Sequence, residues 1–258
     1  MFMYAQPDYG WQQHTSWHPL LHLSQKMSIT MSIALFMGKF YILHVDKDEK
    51  GSADTRNVNT TMTGPPSDDL LRNIFLTTHN NYRARIARGE TERNGRSGEN
   101  APPASLMYTM RYSLAAESYA RRHVERCDKR QYYEWELPGH RENVHVLERN
   151  DINSERAALL AMNDWWSELN RYGVPSNMIY TADMHTRSSA PVRSFTKMAW
   201  WKNTELGCAV KNCTTFFFTS CIYGPGGNDV GRPIYNVGAV CSGCSSGCQH
   251  GLCPLPHS

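Results

Sequence analysis

The sequence has almost no charge imbalance: 27 basic residues face 24 acidic ones, a formal +3 over 258 residues. So even a balance creates no strong long-range field, and neither nucleic acid nor an anionic membrane surface is expected as the main partner. It also lacks an apolar run long enough to cross a bilayer. The best candidate, residues 29–38, is broken by Lys39 before it resumes toward Val45, and a spanning helix needs about 20 such residues. There is no internal repeat, which excludes solenoids and propellers. No His-Glu-x-x-His string is present, and no nucleophile-elbow motif is read in the chain. Through its first 207 residues the chain has one cysteine, Cys127.

What is present begins with the other seven cysteines: Cys208, Cys213, Cys221, Cys241, Cys244, Cys248 and Cys253. An even total crowded toward one end reads as a disulfide framework made in an oxidising compartment. The alternative is a zinc-ribbon-like tail, since Cys241 and Cys244 open with C-x2-C spacing. Zinc sites of that type usually come as two separated C-x2-C pairs, which disfavours it. Residues 29–38, preceded by Lys26, have the length of a signal-peptide apolar region. Met27 or Met31 is then a candidate initiator, although no clean small-x-small cleavage site follows. Secretion is the expectation.

Residues 1–66 read as an N-terminal extension. Within it, 46–66 is polar, with Gly51, Ser52, Gly64, Pro65 and Pro66, and reads as linker. Asn59-Thr60-Thr61 is a glycosylation sequon there, and Asn212-Cys213-Thr214 is a second. With 40% apolar residues the rest can bury a sizeable core. Helical spacing of Leu71, Ile74, Phe75, Thr78, Tyr82 and Ile86 predicts a helix over 68–88, with Asp68 and Asp69 in its first turn and Gly89 as its stop. A second helix is expected over 113–127, with Ala116, Ala120, Val124 and Cys127 on one face. A third is expected over 154–170, with Trp165 and Leu169 inward. Residues 128–153 look irregular. Short strands are expected at 197–202, 206–211 and 216–223, closed by the turn Gly224-Pro225-Gly226-Gly227. The fold class is α+β, with residues 67–240 as the main domain and 241–258 as a cysteine-rich tail.

Several separated segments then line up: His79-Asn80-x-x-Arg83, Ala101-Pro102-x-Ala104-x-x-Met107, Glu142-Asn143, Trp165-Trp166-x-Glu168, Phe195-Thr196-x-Met198-x-Trp200, Cys221-x-Tyr223-Gly224-Pro225 and Cys241-Ser242-x-Cys244. In that order the chain resembles the CAP superfamily, which includes cysteine-rich secretory, antigen 5 and pathogenesis-related proteins. Within it the likeness is to nematode venom-allergen-like or activation-associated secreted proteins, over residues 68–253. The resemblance implies an αβα sandwich around a three-stranded antiparallel sheet. It also implies Cys127–Cys213 and Cys208–Cys221 bridges. The last four cysteines, Cys241, Cys244, Cys248 and Cys253, would form two more, among three possible pairings. Each bridge contributes roughly 2–4 kcal/mol.

Many CAP domains hold two histidines and two glutamates around a central cavity, a donor set suited to a divalent metal such as zinc. By resemblance Glu142 and Glu168 keep the glutamate positions. Both histidine positions are replaced: Gln131 stands four residues after Cys127, and Ser194 opens Ser194-Phe195-Thr196-Lys197. Zinc, or any other cofactor, is therefore not expected, unless His140, His145 or His185 substitutes as a ligand. If both glutamates face the cavity, repulsion and burial should raise one pKa unless a cation intervenes, and Lys197 is the candidate cation. In the opposing reading Glu142 only braces a loop and Glu168 is exposed at a helix end.

The function expected from the resemblance is a secreted, non-enzymatic effector. It would bind a sterol or fatty acid in a groove, or a host protein, as a monomer, and would carry a degenerate metal-binding cavity. Trp165, Trp166, Trp200 and Trp201 are expected in the core rather than at a ligand. One alternative is a secreted hydrolase using the same cavity, but no histidine is placed to activate Ser194. The other is an acidic-polysaccharide binder using Arg83, Arg85, Arg88, Arg93 and Arg96 with Arg121, Arg122, Arg126, Lys129 and Arg130. Interleaved Glu90, Glu92, Glu99, Glu117 and Glu125 dilute that field.

Overall fold

The computed structural model describes residues 66–255. The apolar segment 29–38 and Asn59 lie outside the described residues. Helix α1, Pro66–Arg88, has Asp68 and Asp69 at its start and Arg85 and Arg88 at its end, each complementing the helix dipole. It stops at Gly89, whose φ is +68° and where a Cβ would meet Pro103 at 3.0 Å. Its most deeply buried stripe is Phe75, His79, Arg83, Ile86 and Ala87, so two polar side chains share it with three apolar ones.

Strand β1, Ala104–Leu106, pairs with β6, Asn236–Val237. Strand β2 is only Arg111–Tyr112. Helix α2, Leu114–Val124, is capped by the Ser113 hydroxyl accepting from Ala116 N–H. It ends before the expected Cys127, which has a left-handed φ of 48°. Helix α3, Ser154–Tyr172, is capped by Asn153 and stopped by Gly173. Two short helices follow, α4 at Ala182–Thr186 and α5 at Arg193–Met198.

The main sheet has the order β2-β4-β5-β3, with β3 at Arg141–Leu147, β4 at Glu205–Asn212 and β5 at Phe217–Gly224. Strands β4, β5 and β3 are the expected antiparallel three, and β2 adds a two-residue parallel edge beside β4. Alternation along the strands sends Phe218 and Ile222 to one face, where Ala116, Ala120 and Val124 of α2 cover them. Cys208, Cys221 and Tyr223 go to the other, against Phe75 of α1 and Met162 and Trp165 of α3. The result is an αβα sandwich.

Two expectations about elements fail. Residues 128–153 are not all irregular, because β3 lies among them. Its sequence, Arg-Glu-Asn-Val-His-Val-Leu, is too polar to announce a strand, and pairing with β5 over seven residues makes it one. Residues 197–202 do not form a strand: α5 covers their start and a turn follows. The cause is tertiary. The Glu168 carboxylate accepts from Ser194 and Phe195 N–H, and Asn203 Nδ2 donates to the Lys197 carbonyl. Both ends of α5 are thus satisfied from outside, which outweighs local β propensity.

Cys127 is bonded to Cys213, Cys208 to Cys221, Cys241 to Cys248 and Cys244 to Cys253. The tail is held by more than these staples. Gly243 N–H donates to Ser105 O, Cys253 N–H to Met107 O, and Thr109 N–H to Cys253 O, while Leu252 joins the main core.

Candidate functional site

Among the described residues the outer edge of β3 has no neighbouring strand, so its outward carbonyls need other donors. Side chains supply them. Glu142 O accepts from Gln131 Nε2 and Lys197 Nζ, both at 2.6 Å, and Val144 O accepts from Trp165 Nε1 at 3.0 Å. Around this edge lies a cavity of about 250 Å³. The loop at Gln131–Glu134, the start of β3, Tyr180, His185 of α4, Arg193 and Lys197 of α5, and Asn228 line it.

The Glu142 carboxylate is fully engaged in the wall. Oε1 accepts from Ser220 Oγ at 2.6 Å and pairs with His123 Nδ1; Oε2 accepts from Tyr132 N–H at 2.7 Å. His123 is buried on α2, with the Tyr132 ring tilted 33° against it at 4.0 Å. The Glu142 side chain therefore turns to the α2 layer and braces the 128–133 loop, rather than pointing into the cavity.

Glu168 comes from α3, in the opposite layer. It is 7% exposed, not the open helix end of the bland expectation. Burial pushes its carboxyl up to about 7, against the opposing pull of the Phe195 and Ser194 amides and the Lys197 charge. Burial likewise lowers Lys197 to about 8, opposed by the charges of Glu168 and Glu142. Lys197 thus lies within the field of both carboxylates, although its hydrogen bond goes to the Glu142 carbonyl. The sign of the Glu168 effect follows from linkage: with a folded pKa near 7 and an ordinary value of 4.5, the unfolded chain loses this proton first. The stabilisation is complete below about 4.5 and lost as pH rises to about 7. Relative to Glu168→Gln, the wild type should lose on the order of 2 kcal/mol between pH 5 and 7. Denaturant midpoints across that range check this, and parallel curves for the two proteins would refute it.

Of the residues singled out from sequence, Gln131, Glu142 and Lys197 border the cavity. Glu168 and Ser194 lie behind it, with Ser194 held through its backbone by Glu168 and Asn143. His140 and His185 also line it. His145 does not: it packs edge-on against Trp165 and faces Asp164 at 3.7 Å. Among the described residues no three potential metal ligands converge in this cavity, His140 and His185 included. Both imidazole positions hold non-ligands, the Glu142 oxygens are taken, and an ammonium occupies the wall. Among the described residues the one set of three potential ligands is Cys241, Cys244 and Cys248, and these are half-cystines.

Sequence reasoning missed His123. The signal was its place on the α2 stripe of Ala116, Ala120 and Val124, which forces the ring toward the sheet. It also missed that Gly243-Cys244-Ser245-Ser246-Gly247 matches the letters of a nucleophile elbow. That string lies in turns between half-cystines, without the strand and helix such an elbow needs.

Most residues of the two arginine clusters are buried or paired with acids. Arg83 is completely buried. Arg85 pairs with Glu92 at 2.6 Å, Arg88 with Glu90 at 3.0 Å, Arg121 with Asp68 at 2.8 Å and Arg126 with Asp128 at 2.7 Å. Trp165, Trp166 and Trp200 are core residues, and Trp201 is half-buried against Tyr108.

Comparison with known proteins agrees with this geometry. The profile of CAP, the cysteine-rich secretory protein family, matches residues 76–223. The chain is 39% identical over 203 residues to the Ancylostoma secreted protein of Ancylostoma caninum, covering 77% of this chain and 46% of that protein. It thus spans about half the length of that relative. It is 32% identical over 178 residues to hookworm platelet inhibitor 1 of the same organism, covering 69% of this chain and 75% of that protein. The crystal structure of NaASP2 with Zn2+ superposes with a TM-score of 0.66 at 33% identity, over 71% of this chain and 94% of that one. Na-ASP-1 gives a TM-score of 0.67 at 34% identity, over 80% of this chain and 52% of that one.

Proposed function

The chain belongs to the CAP family of cysteine-rich secretory proteins, and from that premise we propose that it is an extracellular, non-catalytic binding protein whose central cavity works without a metal. The observation that carries this reading is the pair of commitments at β3: the Glu142 carboxylate bound to His123, Ser220 and Tyr132, and the Lys197 ammonium on the same residue's carbonyl. A cation already stands in the wall, and three of the roughly four lone-pair sites of the carboxylate are taken by donors, which leaves little for a second cation. The relative NaASP2 was crystallised with Zn2+; in this reading the present chain has given up that capacity. Hydrolysis would need an activated nucleophile or a metal-bound water. Ser194 has no histidine partner among the described hydrogen bonds. The eight paired cysteines and relatives named as secreted or venom proteins support export.

The ligand in this reading is a sterol or fatty acid, or else a host protein. Room for one exists apart from the cavity, in a groove of about 1240 Å³ between the second half of α1 and the tail, with Ala84, Leu252 and Leu255 among its lining residues. Native mass spectrometry of the secreted full chain after zinc challenge tests the proposal. The expected mass is that of the four-disulfide chain without zinc, with any co-purified lipid as an adduct. Stoichiometric zinc overturns the metal-free reading.

A further inference from the structure

We propose that the cavity at the edge of β3 is a carboxylate-binding site, with Lys197 as the anchor of the anion and the stacked Tyr133–Trp135 pair as the platform for its apolar body. The inference rests on the metal-free reading of that cavity and gives it a ligand class.

Lys197 is 6% exposed. An ammonium has three donors, and among the described residues Lys197 uses one, on Glu142 O. The carboxylates around it are engaged elsewhere: Glu142 with His123, Ser220 and Tyr132, and Glu168 with the amides of Ser194 and Phe195. Neither forms an ion pair with Lys197 among the described residues. A buried ammonium with two free donors and no close counter-ion is costly, and an anion entering the cavity relieves that cost. Arg193, one turn earlier on α5, lines the same cavity and donates to the His185 carbonyl rather than to an acid. Arg141, also in the lining, is already paired with Glu134. With Glu134, Glu142 and Glu168 nearby, the balance tolerates one added negative charge better than two, which favours a carboxylate over a phosphate.

The second observation is at the mouth. Tyr133 lines the cavity and is 57% exposed; Trp135 is 75% exposed, and their rings lie 5.7 Å apart at 7°. Two parallel exposed aromatics with one edge in a polar cavity make a surface on which an apolar or aromatic body can lie while its charged end reaches inward. The cavity volume of about 250 Å³ holds a carboxylate and a few carbons, so a longer body must lie across the pair.

The test is calorimetric titration, with tryptophan fluorescence in parallel, of the zinc-free full chain with 3-phenylpropanoate, its uncharged amide, and inorganic phosphate. The acid should bind and change the fluorescence, the amide and phosphate should bind at least tenfold more weakly, Lys197→Gln should weaken the acid at least tenfold, and Trp135→Ala about threefold. Equal binding of acid and amide, or undiminished binding by Lys197→Gln, overturns the anchor; phosphate binding as tight as the acid, or an unchanged Trp135→Ala, overturns the platform. If Lys197→Gln does not fold, the acid–amide comparison and Trp135→Ala still decide. Stoichiometric zinc in the starting protein would instead sink the metal-free reading, whereas a zinc-free protein that ignores the acid sinks this inference alone.

Discussion

Glu142→Ala is expected to destabilise the disulfide-intact chain by about 3 kcal/mol or more, because it removes the shared acceptor of several buried donors. The substitution strands three donors at once. His123 loses its carboxylate, Ser220 Oγ loses its acceptor, and Tyr132 N–H, which fixes the 128–133 loop, is left without a partner. A buried donor left unsatisfied costs about 1–3 kcal/mol. The prediction separates two roles for one residue. A glutamate that merely faced an open cavity would give up little when truncated, because water would replace it. A buttress between α2 and β3 cannot be replaced that way. Chemical denaturation of Glu142→Ala and His123→Ala, with the double variant, gives the pairing energy as a cycle. A loss under 1 kcal/mol for Glu142→Ala would mean that the carboxylate turns outward after all.

That orientation marks the point where sequence stopped being informative. The three long helices were legible because their apolar spacing is sustained, and the two central strands because β4 and β5 are apolar on both faces. Strand β3 was not legible: Arg141, Glu142, Asn143 and His145 read as loop, and only the pairing with β5 and the side-chain donors on its edge carbonyls make it a strand. Helix α5 was hidden for the same reason, since its capping groups, Glu168 and Asn203, belong to other elements. At the site, the family resemblance led to Gln131, Glu142 and Glu168, because the order of motifs on which it rests survives in one dimension. The direction of a side chain does not. Glu142 could have served the cavity or the wall, and the choice is made by His123, nineteen residues away. The same holds for Lys197, whose partner is a backbone carbonyl that no side-chain pattern announces.

The largest single loss is expected at Arg83, a residue whose charge first suggested a surface cluster. Its guanidinium is completely buried on α1 and donates to five carbonyls: Tyr108 at 2.7 Å through Nη2, Met198 at 2.8 Å and Trp200 at 2.9 Å through Nη1, and Trp201 at 3.3 Å and Asn203 at 3.2 Å through Nη2. Three of these carbonyls belong to the turn between α5 and β4, where Trp200 O and Trp201 O each also accept one backbone N–H, and Met198 closes α5. Burial lowers the guanidinium to about 9, so it remains charged at neutral pH and its hydrogen bonds are charge-assisted. Arg83→Met keeps the stem and removes the guanidinium donors from all five carbonyls, and should cost about 4 kcal/mol or more. Arg83→Lys keeps the charge but has three donors on a flexible stem in place of a planar fork, and should cost about 2–3 kcal/mol. Because the turn leads directly from Lys197 to β4, both variants should also loosen the cavity wall, read as faster amide exchange at residues 194–204. Denaturant midpoints and hydrogen exchange check the pair together. If Arg83→Met lies within 1 kcal/mol of wild type, the turn must find its donors elsewhere, and the guanidinium is not what holds α5 against the sheet.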